Sequence, residues 1–136
     1  MTIREYHDYR AEEILPLYES VGWRRYTQDS DALEKAYANS LCVLAAWEGE
    51  HLAGVVRAVG DGVSIVFIQD ILVRPEYQRR GIGRALIRAL MDKYPNAYQI
   101  ELLTDDTEKT AAFYKNAGFQ EARAFGCVSF VRMKTA

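Results

Sequence analysis

Cysteine is nearly absent from this chain of 136 residues: there are two, Cys42 and Cys127. Two distant cysteines build no disulfide framework, and their spacing fits no zinc pattern. Each sits in an apolar, strand-like run, Leu41-Cys42-Val43-Leu44 and Cys127-Val128-Ser129-Phe130, and reads as a buried free thiol. Histidine is equally scarce. His7 and His51 lie in polar surroundings and offer a catalytic thiol no partner. No metal is expected. No stretch approaches the ~18 apolar residues of a membrane span. The run Met1-Thr2-Ile3-Arg4-Glu5-Tyr6 has no apolar signal core, so a cytoplasmic protein without a membrane partner is expected. An excess of one charge is also missing: 17 basic residues face 19 acidic ones, net −2. A general nucleic-acid binder is usually basic, so no nucleic-acid partner is expected. There is no Pro/Gly/Ser-rich linker and no internal repeat. What remains is ordinary globular composition, 49% apolar and 26% charged, in a length suited to a single domain over 1–136.

Hydrophobic spacing predicts the elements. Ile3–Tyr6 reads as a short strand. Ala11–Val21 reads as a helix, with Ile14, Leu17, Tyr18 and Val21 on one face. Asp31–Ser40 is a second helix, with Asp29 or Ser30 as its N-cap. Three strands follow, Leu41–Trp47, His51–Val59 and Val63–Val73, separated by Gly-containing turns. Gly81–Tyr94 is helical, with Ile82, Ala85, Leu86, Ala89 and Leu90 as its apolar stripe. Tyr98–Leu103 is a strand. Thr107–Ala117 is a helix stopped by Gly118. Phe119–Ala124 and Gly126–Met133 read as two closing strands. The order is β α α β β β α β α β β, an α/β mixed sheet with helices on both faces. The strand-helix-strand unit in the middle implies one parallel pair.

The most informative run is Ile71-Leu72-Val73-Arg74-Pro75-Glu76-Tyr77-Gln78-Arg79-Arg80-Gly81-Ile82-Gly83-Arg84. It joins an apolar strand to a helix N-terminus. Glycines leave backbone amides uncovered, and Arg79 and Arg80 add positive charge. Such a turn suits phosphate or pyrophosphate. It is not a P-loop, because the Gly-Lys-Ser/Thr ending is missing. It is not the dinucleotide fingerprint, because Leu86 stands where the third glycine belongs.

Gln78-Arg79-Arg80-Gly81-Ile82-Gly83 resembles the Gln/Arg-x-x-Gly-x-Gly/Ala signature of the GCN5-related N-acetyltransferases, the GNAT superfamily. Phe113-Tyr114-Lys115-Asn116-Ala117-Gly118-Phe119 is similar to that family's second signature, Phe-Tyr-x-x-x-Gly-Phe. The element order is the family's order. Val21-Gly22-Trp23-Arg24-Arg25 and Ala38-Asn39-Ser40 are similar to small bacterial members and their plastid relatives, some described as serotonin or lysine acetyltransferases.

The resemblance implies the GNAT fold and acetyl-CoA as co-substrate, with no metal. It implies transfer to a primary amine, by direct attack in a ternary complex. The amine would be a small molecule such as an arylalkylamine or polyamine, or a lysine. The pyrophosphate would lie on Gln78, Arg79, Arg80, Gly81, Ile82, Gly83 and Arg84. The pantetheine would pair with Ile71, Leu72 and Val73 on a bulged fourth strand, and the N–H of Ile71 or Leu72 would polarise the acetyl carbonyl. Tyr114 would protonate the leaving thiolate. Thr107 stands where many members carry a CoA-contacting Asn. The family often places a Glu or His base on the fourth strand, but Phe67 and Gln69 hold the cleft positions here. Gln69 could instead orient a water. Strand alternation turns the nearest carboxylate, Asp70, to the other face unless a bulge intervenes. A structural Asp70 would cap or pair with an arginine. Trp23, Arg25 and Tyr26, with Gln69, are the acceptor candidates; Arg57 and Asp61 are weaker ones. The apolar last strands would pair across a homodimer. The alternative activity is a non-catalytic acetyl-CoA sensor, kept open by the missing base.

Overall fold

The structure, a computed structural model, describes residues 1–134. It divides into two compact units, Met1–Leu103 and Thr104 onward.

The first unit is built on a five-stranded sheet. Its strands are β1 (Thr2–Glu5), β2 (Cys42–Glu48), β3 (His51–Gly60), β4 (Ile65–Val73) and β5 (Gln99–Leu102), in that spatial order. β1 to β4 pair antiparallel, with short turns joining β2 to β3 and β3 to β4. β4 and β5 pair parallel, as a strand-helix-strand crossover requires. The crossover helix is α4 (Ile82–Lys93). Three helices lie between β1 and β2: α1 (Ala11–Ser20), α2 (Arg24–Thr27) and α3 (Ser30–Ala38).

β2 and β3 are buried on both faces, hence their near-continuous apolar sequence. On one face Val43, Ala45, Val55 and Leu72 pack with Ile14, Leu17 and Tyr18 of α1 and with Leu33 and Tyr37 of α3. α4 covers the other face with Ile82, Leu86, Ile87 and Leu90. Each such aliphatic side chain contributes about 1.5–3 kcal/mol of burial. Asp29 caps α3 by accepting from the Ala32 amide at 3.1 Å, as the sequence predicts.

The second unit holds one helix, α5 (Glu108–Asn116), and a 3-10 turn at Ala122–Phe125. None of its described residues is buried. Here the structure corrects three expectations. The expected strand Phe119–Ala124 is a turn. The amides of Ala124, Gly126 and Cys127 are spent on the carbonyls of Glu121, Arg123 and Ala122. Gly126 supplies the left-handed end of that turn, at φ 75°. The expected strand Gly126–Met133 belongs to no sheet, and Cys127 is exposed rather than buried. The sheet ends at β5. A further difference lies in the first unit, where α2 occupies a stretch expected to be loop.

Candidate active site

The loop between β4 and α4 is shaped by two left-handed residues. Arg79 has φ 65°, and Gly81, the N-cap of α4, has φ 79°. A Cβ on Gly81 would meet nothing within 4 Å. The glycine therefore answers a backbone demand and leaves the space before the helix open. No side chain caps α4. Its first helical bond runs from the Ala85 amide to the Gly81 carbonyl. The amides of Ile82 and Gly83 precede it, at the positive end of the helix dipole. The Gln78 side chain folds back and donates to the Val73 carbonyl at 2.9 Å, fixing the loop to the end of β4. The Arg80 guanidinium stacks 5.5 Å from the Tyr77 ring, and both Arg79 and Arg80 are exposed.

β4 outruns its parallel neighbour. Its pairing with β5 covers Ile65 to Ile68, so among the described residues Gln69 to Val73 have no strand on that side. The backbone of Ile71, Leu72 and Val73 lies along this open stretch, leading into the Gly81 loop.

Gln69 is an extra residue. Arg57 of β3 pairs with Asp70, but the next residue, Ala58, pairs with Ile68. This bulge overturns plain alternation, which put Gln69 and Asp70 on opposite faces. Both now reach the hydroxyl of Tyr26 on α2. Burial raises the Tyr26 pKa, and the Asp70 charge raises it further.

Behind Tyr26 lies a polar network inside the core. Asp70 is 1% exposed and Arg57 4%. Asp70 Oδ2 accepts from Arg57 Nε at 2.8 Å and from the Tyr18 hydroxyl at 2.8 Å. Tyr18 spends its proton there, so the Tyr37 hydroxyl, 2.9 Å away, donates to Tyr18. Arg57 also donates to Ser40 Oγ at 3.3 Å and lies 5.6 Å from the Tyr37 ring. Burial opposes the Arg57 charge, but Asp70 outweighs it and raises the pKa. Tyr18 and Tyr37 are held protonated well above the usual phenol range, chiefly by burial. Asp70 Oδ1 is buried and has no hydrogen-bond partner. A buried carboxylate oxygen without a donor is costly.

Trp23 and Tyr26 sit beside this network. Their rings lie 6.1 and 5.3 Å from Tyr18 and 6.2 Å from each other. Arg25, expected with them, is exposed. Arg57 is committed to Asp70. Asp61 accepts from the amides of Val63, Ser64 and Ile65 at 2.7–3.1 Å, and so holds the β3–β4 turn. Residue-type reasoning missed Tyr18 and Tyr37 as polar partners, because both read as core stripes of their helices.

In the second unit Thr107 is the N-cap of α5, accepting from the Thr110 amide at 3.2 Å. Tyr114 is half-buried, edge-on to Phe113 at 5.0 Å and Phe119 at 6.0 Å. Burial raises its pKa, opposed by a hydrogen bond with Thr104. The phenol thus keeps its proton across the neutral range. Among the described residues no group of three His, Cys, Asp or Glu could hold a metal, and no helix is long and apolar enough to cross a membrane.

Residues 7–119 match the Acetyltransferase (GNAT) family. The chain belongs to this family. Among GNAT relatives, it is 31% identical over 115 residues to an uncharacterized N-acetyltransferase, ycf52-like, of Prochlorococcus marinus, covering 79% of this chain and 61% of that one. It is 38% identical over 75 residues to the chloroplastic GCN5-related N-acetyltransferase 2 of Arabidopsis thaliana, covering 52% and 28%. The chain thus spans less than two thirds of these curated relatives. A GNAT-family acetyltransferase structure from Streptococcus pneumoniae TIGR4 superposes with a TM-score of 0.87 at 36% identity, covering 99% of this chain and 98% of that one. The mixed sheet and the bacterial and plastid likeness expected from the motifs hold.

Proposed function

We propose that this chain is one acetyltransferase domain that moves an acetyl group from acetyl-CoA to a primary amine. The family match runs across the boundary between the two units and supports reading them as one domain. The observation that carries the substrate is the open stretch of β4 leading into the uncapped N-terminus of α4. An unpaired strand edge suits the two amides of pantetheine. An uncapped helix start flanked by arginines suits a pyrophosphate.

The reaction is direct attack. The amine nitrogen bonds to the thioester carbon, and the N–H of Ile71 or Leu72 stabilises the developing oxyanion. The carbon–sulfur bond then breaks, and the thiolate takes a proton from Tyr114, assigned by its match to Phe-Tyr-x-x-x-Gly-Phe. The proton lost by the amine passes by way of a water held at Gln69, or the Tyr26 hydroxyl, to Asp70 Oδ1. Its other oxygen is held by Arg57 and Tyr18, so Oδ1 is the end that accepts. In this reading Asp70, turned by the bulge, takes the role of the base. Trp23 and Tyr26 face an amine carrying an apolar or aromatic body. Free thiols suit a reducing, cytoplasmic compartment.

Calorimetric titration with acetyl-CoA, followed by thiol release against arylalkylamines, polyamines and lysine peptides, tests this reading. Binding with turnover on one class is expected. Binding without turnover would make the chain a sensor. In Gly81→Asp, a carboxylate enters the open space before α4, and titration should show no binding. Retained affinity would remove the loop from the site.

A further inference from the structure

We infer that Ser40 is a positioning residue for the proposed base: by holding the Arg57 guanidinium end-on to Asp70, it keeps Asp70 Oδ1 open. This rests on the reading of Asp70 as the group that takes the amine's proton. A guanidinium beside a carboxylate favours a two-pronged clamp, one N–H to each oxygen. Here that clamp is not made. Arg57 Nε donates to Asp70 Oδ2 at 2.8 Å, and the Tyr18 hydroxyl donates to the same oxygen at 2.8 Å. Oδ1 is buried and has no hydrogen-bond partner. Two donors thus share one oxygen while the other has none.

The cause lies at the far end of the guanidinium. Arg57 Nη1 donates to Ser40 Oγ at 3.3 Å. Ser40 follows α3, and its hydroxyl proton is given to the Ala36 carbonyl at 2.8 Å. A hydroxyl has one proton and two lone pairs, so Oγ meets Arg57 as an acceptor. The Tyr37 ring, 5.6 Å from the guanidinium carbon, supports the same pose as a cation–π contact. Arg57 is therefore anchored at both ends, on Asp70 Oδ2 and on Ser40 Oγ. Without the second anchor the guanidinium is free to close on both carboxylate oxygens. That closure satisfies Oδ1 and stops it from accepting a proton. A purely structural Ser40 would cost stability when removed and leave the rate alone. A positioning Ser40 does the reverse.

Ser40→Ala in the full chain tests this. Its kcat should fall by about 10-fold or more, because a charge-assisted hydrogen bond at Oδ1 must break before a proton is taken there. KM for acetyl-CoA and for the amine that turns over, and the melting temperature, should stay near the parent values. Ser40→Thr keeps the hydroxyl and should restore most of the rate. A crystal structure of Ser40→Ala should show Arg57 donating to both oxygens of Asp70. An unchanged kcat, a loss that Ser40→Thr does not restore, or a guanidinium that stays end-on would overturn the inference. Asp70→Asn, measured alongside, tells a failed inference from a failed base. A slow Asp70→Asn with a fast Ser40→Ala removes Ser40 alone. If both match the parent rate, Asp70 is not the base and the role of Ser40 falls with it.

Discussion

The two units differ in what holds them. Met1–Leu103 buries side chains on both faces of its sheet and encloses a charged network. Thr104 onward buries none of its described residues and is ordered by local devices: the Thr107 cap, the edge-on rings around Tyr114, the turn closed by Gly126. The difference assigns different jobs. Dense packing can hold a carboxylate oxygen in an apolar interior without a partner. A capped helix can present a phenol but cannot shield a charge. The proposed base and acid sit accordingly, Asp70 in the first unit and Tyr114 in the second.

The contrast breaks hardest at Asp70. Asp70→Ala leaves Arg57 charged, buried and unpaired, and should cost about 3–5 kcal/mol of unfolding free energy by denaturant titration. A cost under about 1 kcal/mol would mean the network is solvated. Replacing Asp70 by Asn keeps the shape. It should lower kcat by about 10²-fold with KM nearly unchanged, if Oδ1 accepts the proton.

Alkaline pH sharpens the same contrast. Tyr18, Tyr26 and Tyr37 have raised pKa values in the folded state. Above the unfolded phenol pKa of about 10, the unfolded chain releases protons that the native one keeps. Stability should therefore be intact below that pH and fall as pH rises past it. Tyr18→Phe should flatten the fall; an unchanged slope would place its source elsewhere.

In the second unit the effects are catalytic or local. Tyr114→Phe should reduce turnover by about 10²-fold with acetyl-CoA affinity and melting temperature nearly unchanged. An unchanged rate would make Tyr114 packing alone. Thr107→Ala removes a cap worth about 1 kcal/mol. Its signature should be faster amide exchange in α5, with β2 and β3 unaffected.

Much of the first unit was legible because its signals are periodic or chemical. The α4 stripe, the Asp29 cap and the Gly81 loop each follow from spacing or residue type. α2 was not legible, because Arg24–Thr27 is too short to show a period. The bulge at Gln69 was not legible as an observation, because one inserted residue leaves no mark in composition; the resemblance alone raised it. Val128 and Phe130 misled for another reason. Alternation records the readiness of a segment to pair, not the presence of a neighbour to pair with.

The extra residue in β4 acts as a change of phase. Before it, even-numbered side chains such as Ile68 share the face of Ala58 and Cys42, toward α4. After it, even-numbered Asp70 and Leu72 share the face of Arg57 and Val55, toward α1 and α3. One strand thus serves two opposite parities. No single substitution can imitate that offset, and excising Gln69 would throw one half of the strand out of step with the sheet.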